Sequence, residues 1–212
     1  MTFQAPELSN TSGVILAGGM GRRMGGREKA LIELRGRPLA CYVADRLAPQ
    51  LGPGRLLLNA NGPPERFAGI GLPVIADESP NRPGPLAGLL AAMLAAPGSL
   101  WIISAPTDTP FLPRDLVRRL MERTGEAEIV LAGSAGGLCQ VCGLWSASLA
   151  PALATALASG QNKVLSFVQA HRWVRADFPP EIIEGAEIDP FFNLNTQQDI
   201  DFTQQLMRRT KP

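Results

Sequence analysis

A repeated pattern constrains this chain most: a short continuous apolar run, then a small or polar residue, then a stretch with helical spacing. Val14-Ile15-Leu16-Ala17 runs into Gly18-Gly19, and Leu56-Leu57-Leu58 into Asn59 and Asn61. Val74-Ile75-Ala76 ends at Asp77, and Leu100 to Ser104 leads to Thr107-Asp108. Runs of this length, closed by turn residues, read as buried strands. Between them, Pro38 suits a helix start followed by Leu39, Val43 and Leu47. Leu86 to Ala96 is a Leu- and Ala-rich helix, and Pro113 opens another with Leu116 and Leu120 on one side. Ile129 to Ala132, Val141 to Trp145 and Trp173 to Phe178 add strands, with helices near Leu149 to Ala158 and Val164 to Ala170. Strands separated by such helices argue for an α/β domain with a mostly parallel sheet. Gly18, Asn59, Asp77 and Asp108 all fall just past the C-terminal end of an expected strand. That is the edge at which open α/β sheets bind ligands.

At 212 residues, with no internal repeat and no clear linker, the chain reads as one domain over 1–212, with residues 1–12 as a flexible N-terminus. A net charge of +1 offers no broad field for nucleic acid or anionic lipid. A small polyanion would have to be met by a few placed cations. Three cysteines make no disulfide framework and suit a reducing compartment. The first twelve residues lack the charged and apolar regions of a secretory signal, and Leu86 to Ala96 is too short to span a bilayer. The expectation is a cytoplasmic protein that binds neither membrane nor nucleic acid.

The segment from Gly18 to Gly26 holds five glycines and two arginines, Arg22 and Arg23, with Lys29 shortly after. Glycine lets backbone amides approach phosphate oxygens, and the cations offer roughly three positive charges to a triphosphate. A Walker loop is excluded, because no Gly-Lys-Ser/Thr occurs. The dinucleotide fingerprint is excluded by Met24, where a glycine is needed. A plain strand-to-helix turn is the alternative reading.

Leu16-Ala17-Gly18-Gly19-x-Gly21-x-Arg23-Met24-Gly25, followed by Glu28-Lys29-Ala30-Leu31, resembles the signature of nucleotidyltransferases that attach a nucleoside monophosphate to a phosphorylated acceptor. Within them the chain is most similar to the molybdenum cofactor guanylyltransferases. The resemblance continues through Gly36-Arg37-Pro38-Leu39, Asn59-Ala60-Asn61 and Val74-Ile75-Ala76-Asp77. It extends to Gly84-Pro85-Leu86-Ala87-Gly88, Thr107-Asp108-Thr109-Pro110 and Asn193-Leu194-Asn195-Thr196. Sugar and isoprenoid relatives usually carry Pro-Lys where this chain has Glu28-Lys29, and cytidylyl relatives tend to have Leu-Ala-Ala-Gly at Leu16 to Gly19.

The resemblance implies a three-layer Rossmann-like fold of the nucleotide-diphospho-sugar transferase type. It implies an enzyme that joins GMP from GTP to the terminal phosphate of molybdopterin, with Mg²⁺ as cofactor and pyrophosphate released. Delivery proteins for the molybdenum cofactor and recipient molybdoenzymes are the implied partners. The implied catalytic residues are Lys29, Arg23 and Asp108, with Asp108 the metal ligand. The implied nucleotide site comprises Leu16, Ala17, Gly18, Gly19, Gly21, Lys29, Asn59, Asp77 and Asp108. Lys163, Asn193 and Asn195 fall on the acceptor side. Alternatives are a cytidylyl- or guanylyltransferase with another phosphorylated acceptor, and a non-catalytic binder of nucleotide or molybdopterin. No nucleophilic triad is needed, since a phosphate monoester with a second pKa near ~6 is already anionic at neutral pH.

Some further features are read from the residues. Asn193 and Asn195, two apart on a strand, would share a face. Thr196 and Asp199 suit a capping pair for the last helix. The chain departs from the family where a His-Pro pair commonly precedes the strand ending in Gly-Leu-Trp, for Cys139-Gln140 stands there. Cys139 and Cys142 have C-x-x-C spacing without a second pair, so a structural role is expected. On a regular strand the two would point to opposite faces.

Overall fold

The computed structural model describes residues 5–17, 20–21, 27–78 and 84–207, with the backbone alone at 20, 21 and 27. Among these, seven strands form one sheet: β1 (Thr11–Leu16), β2 (Leu56–Asn59), β3 (Val74–Ile75), β4 (Trp101–Pro106), β5 (Ile129–Ser134), β6 (Gly137–Ser146) and β7 (Trp173–Asp177). Their spatial order is β7-β5-β6-β4-β1-β2-β3. β1 pairs in parallel with β2 and β4, β2 with β3, and β7 with β5, while β6 runs antiparallel to both β4 and β5.

Both faces of this sheet are covered, which explains why its central strands read as unbroken apolar runs. In β1, Ile15 turns to the face carrying α1 (Leu39–Leu47) and α3 (Leu116–Glu122), while Val14 turns to the other. In β4, Ile103 and Ile102 divide in the same way. Against the second face lie α2 (Pro85–Ala95), α4 (Ala150–Ala158) and α5 (Val164–Gln169). Leu39, Val43 and Leu47 are all fully buried, each contributing about 1.5–3 kcal/mol of transfer free energy. Helix α2 packs against both the sheet and α4, so every residue from Leu86 to Met93 is buried. Its sequence therefore shows no polar stripe.

The sequence differs from the structure at both ends. Residues 8–12, expected within a flexible N-terminus, are held in place. Leu8–Asn10 form a 3-10 turn and Thr11 begins β1 opposite Trp101. Ser12 Oγ shares a 2.7 Å hydrogen bond with Ser99 Oγ, so this edge has local polar partners. After β7, a short hairpin pairs Glu181–Ile183 with Ala186–Ile188, and α6 (Gln197–Met207) closes the chain. Thr196 caps α6 as expected: Asp199 N donates to Thr196 Oγ1 (3.2 Å), and Asp199 Oδ2 accepts from Thr196 N (2.8 Å). No helix among the described residues is long and apolar enough to cross a membrane.

Candidate active site

Parallel strands deliver their C-terminal ends to one edge, and a cavity of about 510 Å³ opens there. Leu16 ends β1, Asn59 ends β2, and Pro106-Thr107-Asp108 follow β4, all in its wall. Gly84 and Pro85 bring the start of α2 to the same wall. Because β6 runs antiparallel, its N-terminal half, Leu138 to Val141, reaches this edge as well. Asn193 completes the lining from the segment before α6, with Lys29 beside it.

Lys29 is the centre of the polar wall. It opens a single 3-10 turn, Lys29–Leu31, anchored by the fully buried Ala30. Its Nζ donates to Asp108 Oδ2 and to Asn195 Oδ1, both at 2.6 Å. Three residues far apart in sequence thus meet in one charge-assisted cluster. The pair is mostly enclosed, with Lys29 21% and Asp108 12% exposed, so each ion relieves the other's desolvation. The Asp108 carbonyl accepts from Leu194 N at 2.9 Å, tying the Asn193–Asn195 segment to the loop after β4. Thr109 Oγ1 donates to Pro106 O at 3.1 Å and tightens that loop.

Asn193 and Asn195 do not lie on a strand; the segment is irregular, closer to the alternative of a turn before the last helix. Leu194 is nevertheless fully buried while Asn193 is exposed and Asn195 half-buried, so the inward leucine turns both amides the other way. Both asparagines do reach the same site, but the tie to Asp108 replaces sheet pairing as the cause.

A second polar group stands beyond β2. Asn59 Nδ2 donates to Asp77 Oδ1 (2.9 Å) and Asn61 Nδ2 to Asp77 Oδ2 (2.8 Å). Asp77 N returns a bond to Asn61 Oδ1 at 3.0 Å. The carboxylate is held by two amides and keeps lone pairs for further donors. Glycine is required nearby: a Cβ at Gly88 would sit 2.1 Å from Asn59 Oδ1 and 2.9 Å from Leu16 Cδ2. The first turns of α2 can approach β1 and β2 this closely only without a side chain.

On the opposite wall, β6 departs from regular geometry. Leu138 faces Gly133 and Gly143 faces Leu131, so four residues, Cys139 to Cys142, stand against the single Ala132. The bulge is pinned where Val141 O accepts from Ser104 Oγ (2.8 Å), which in turn accepts from Trp145 Nε1 (2.8 Å). This overturns the expectation that Cys139 and Cys142 point to opposite faces, since alternation holds only along an unbroken ladder. Both cysteines turn to the same core layer, Cys142 fully buried in it and Cys139 packed against it. Interaction with Cys142 lowers the Cys139 pKa; the same interaction, with burial, pushes Cys142 well above the ordinary thiol value.

Of the remaining expected site residues, Ala17 is buried and donates its N–H to Asn59 O at 2.8 Å. Gly21 lies with Met20 in a two-residue ribbon paired to Arg27–Glu28. Gly18, Gly19 and Arg23 lie outside the described residues. Lys163 is exposed and stands just before α5, outside the cavity wall. His171 is engaged elsewhere, its Nδ1 2.8 Å from Phe167 O. Sequence reasoning missed Asn61, Gln140, Thr107 and Leu138. Asn61 lay within a motif already recognised, whereas Gln140 and Leu138 reach the site through the bulge, which has no local sequence signal.

With this geometry in view, the comparisons with known proteins are specific. The family model of the MobA-like NTP transferase domain matches residues 13–175. A molybdenum cofactor guanylyltransferase of Cereibacter sphaeroides is 45% identical over 199 residues, covering 93% of this chain and 97% of that protein. One from Rhodopseudomonas palustris (strain BisB5) is 46% identical over 208 residues, covering 94% and 95%. Among solved structures, molybdopterin-guanine dinucleotide biosynthesis protein A from Archaeoglobus fulgidus superposes with a TM-score of 0.72 at 19% identity, covering 94% of this chain and 100% of that one. A 4-diphosphocytidyl-2C-methyl-D-erythritol synthase from Anaerococcus prevotii gives 0.68 at 13% identity, covering 95% and 97%. These two show the shared nucleotidyltransferase fold. The chain belongs to the molybdenum cofactor guanylyltransferase family, within the MobA-like NTP transferases.

Proposed function

We propose that this chain transfers GMP from GTP to the terminal phosphate of molybdopterin, releasing pyrophosphate and forming the guanine dinucleotide of the cofactor. The observation that carries the reading is the meeting of Lys29, Asp108 and Asn195 in a cavity at the C-terminal edge of the sheet. The relatives' names supply the acceptor and the base.

The reaction joins two polyanions, so the protein's work is placement and charge stabilisation. The acceptor phosphate is ionised at neutral pH and needs no strong base. Lys29 carries the positive charge that faces the cavity, and with Arg23 it would neutralise the triphosphate. The segment Leu16–Gly21 and the amides at the start of α2 would cradle the phosphates. Asn59 holds Asp77, which would accept from the guanine edge. Lys163, Asn193 and Asn195 would meet the acceptor.

Asp108 fits a magnesium ion. It is a hard carboxylate in the cavity wall, and Mg²⁺ takes one or two carboxylates while keeping phosphate and water oxygens. Among the described residues no group of three or more His, Cys, Asp or Glu could hold a metal. When bound, the ion would neutralise charge developing on the phosphates. The same reading assigns the protein to the cytoplasm and makes cofactor-delivery proteins and recipient molybdoenzymes its partners.

Purified protein is incubated with Mg²⁺, molybdopterin and either GTP or CTP, and pyrophosphate and dinucleotide are measured. GTP-dependent formation of both is expected. Preference for CTP, or tight GTP binding with no pyrophosphate released in the presence of acceptor, would overturn the assignment.

A further inference from the structure

The proposed chemistry leaves one reactive pair unused. Cys139 lines the 510 Å³ cavity that Lys29 and Asp108 also line. Cys142 lies beneath it, fully buried in the core layer against which Cys139 also packs. Four residues bulging against one turn both cysteines to the same core layer, where a regular strand would have separated them. Cys139 borders the cavity and its neighbour is fully buried. That asymmetry is what a pair needs when the first reacts with an incoming sulfur compound and the second resolves it.

We infer that Cys139 and Cys142 form a thiol–disulfide exchange site opening into the substrate cavity, with small-molecule disulfides of the glutathione type as its reactant. Cys139, as thiolate, attacks one sulfur of the disulfide R–S–S–R. A mixed disulfide forms on Cys139, and RS⁻ leaves, protonated to RSH by the proton Cys139 has lost. Cys142 then loses its proton and attacks Cys139 Sγ, displacing the second RS⁻, which takes that proton. The sum is two cysteine thiols and R–S–S–R giving one Cys139–Cys142 disulfide and two RSH. Interaction with Cys142 favours the thiolate on Cys139, the member that borders the cavity. Closing the bulge into a covalent ring alters the wall formed by Leu138 to Val141, so the oxidised protein loses turnover. This last consequence rests on the proposed function; the thiol chemistry does not.

The test treats the full-length reduced protein with glutathione disulfide and follows intact mass, peptide maps and turnover. The wild type is expected to lose two hydrogens, yield a linked Cys139–Cys142 peptide and fall in turnover about a hundredfold. Dithiothreitol restores it. Cys142→Ser, or Cys142→Ala where serine does not fold, is expected to hold one glutathione on Cys139. Cys139→Ser is expected to take up none at Cys142, and the buried Cys41 serves as internal control. Glutathione remaining on Cys139 of the wild type, or modification of Cys41 ahead of Cys139, would overturn the exchange site. A complete disulfide with unchanged turnover would overturn its effect on the cavity. A reduced protein without guanylyltransferase activity would count against the functional reading alone, because the peptide map decides the thiol site independently.

Discussion

The two walls of the cavity are built by different means. The wall formed by Leu16 and Asn59, with Asp77 hydrogen-bonded to Asn59, consists of residues at or just past the ends of parallel strands, each placed by its own apolar run. The facing wall, Cys139 to Val141 with Asn193, comes from a bulged antiparallel strand and an irregular segment tied to Asp108. The first wall is set by local pattern and parallel register. The second exists only through contacts between distant parts of the chain. Lys29, Asp108 and Asn195 sit at the seam.

Breaking the seam should have the largest effect. Asp108→Ala is expected to lower kcat by at least about 10²–10³ while far-UV circular dichroism stays unchanged. Near-normal turnover in saturating Mg²⁺ would remove Asp108 from the chemistry. Lys29→Met should cost a similar factor and, by leaving Asp108 partly enclosed and unpaired, also lower the melting temperature, which Asp108→Ala should do less.

Smaller effects should separate the walls. Asn59→Ala removes one of the two amides on Asp77 and is expected to raise KM for GTP about tenfold with little change for the acceptor. Gly88→Ala should push Asn59 aside and shift the same constant in the same direction, despite alanine's better helix propensity. Asn193→Ala is expected to do the opposite, raising KM for the acceptor severalfold and sparing GTP. Equal changes in both constants from either variant would erase the distinction between walls.

The smallest effect concerns what holds the seam. Thr196→Ala is expected to cost about 1 kcal/mol, read as a lowered denaturation midpoint, because it removes the N-cap of α6. Its partner Asp199 has a depressed pKa: burial raises it, but bonds from the Thr196 hydroxyl and from the Thr196 and Asn195 amides outweigh that. A depressed carboxylate contributes stability above the unfolded aspartate value near ~3.9 and loses it as pH falls through its folded value. Asp199→Asn should therefore narrow the stability difference between neutral and acidic solution.

Much of the fold was legible because buried parallel strands and a helix such as α1 leave strong local traces. Leu39, Val43 and Leu47 are buried as their spacing implies, and the three strand ends at Asn59, Asp77 and Asp108 were all marked by polar residues. Less was legible after residue 137. The hairpin of Glu181–Ile183 with Ala186–Ile188 passed unnoticed, and the segment 191–195 had the alternation of a strand without a partner to pair with. The bulge gave no sign either, since nothing in Cys139-Gln140-Val141-Cys142 distinguishes it from an ordinary strand.

The sequence by itself therefore determined the order of the sheet strands and the helices between them as far as β7, the polar residues at the C-terminal ends of the parallel strands, and the capping of α6. Each of these depends on neighbours within a few turns of chain. Only the tertiary structure decided that Lys29 would share one cluster with Asp108 and Asn195, and that Cys139 would share a core layer with Cys142. A hydrogen bond between side chains brought from opposite ends of the chain exists only once the sheet and its helices have packed. A bulge likewise is a mismatch between two strands, which neither strand carries alone.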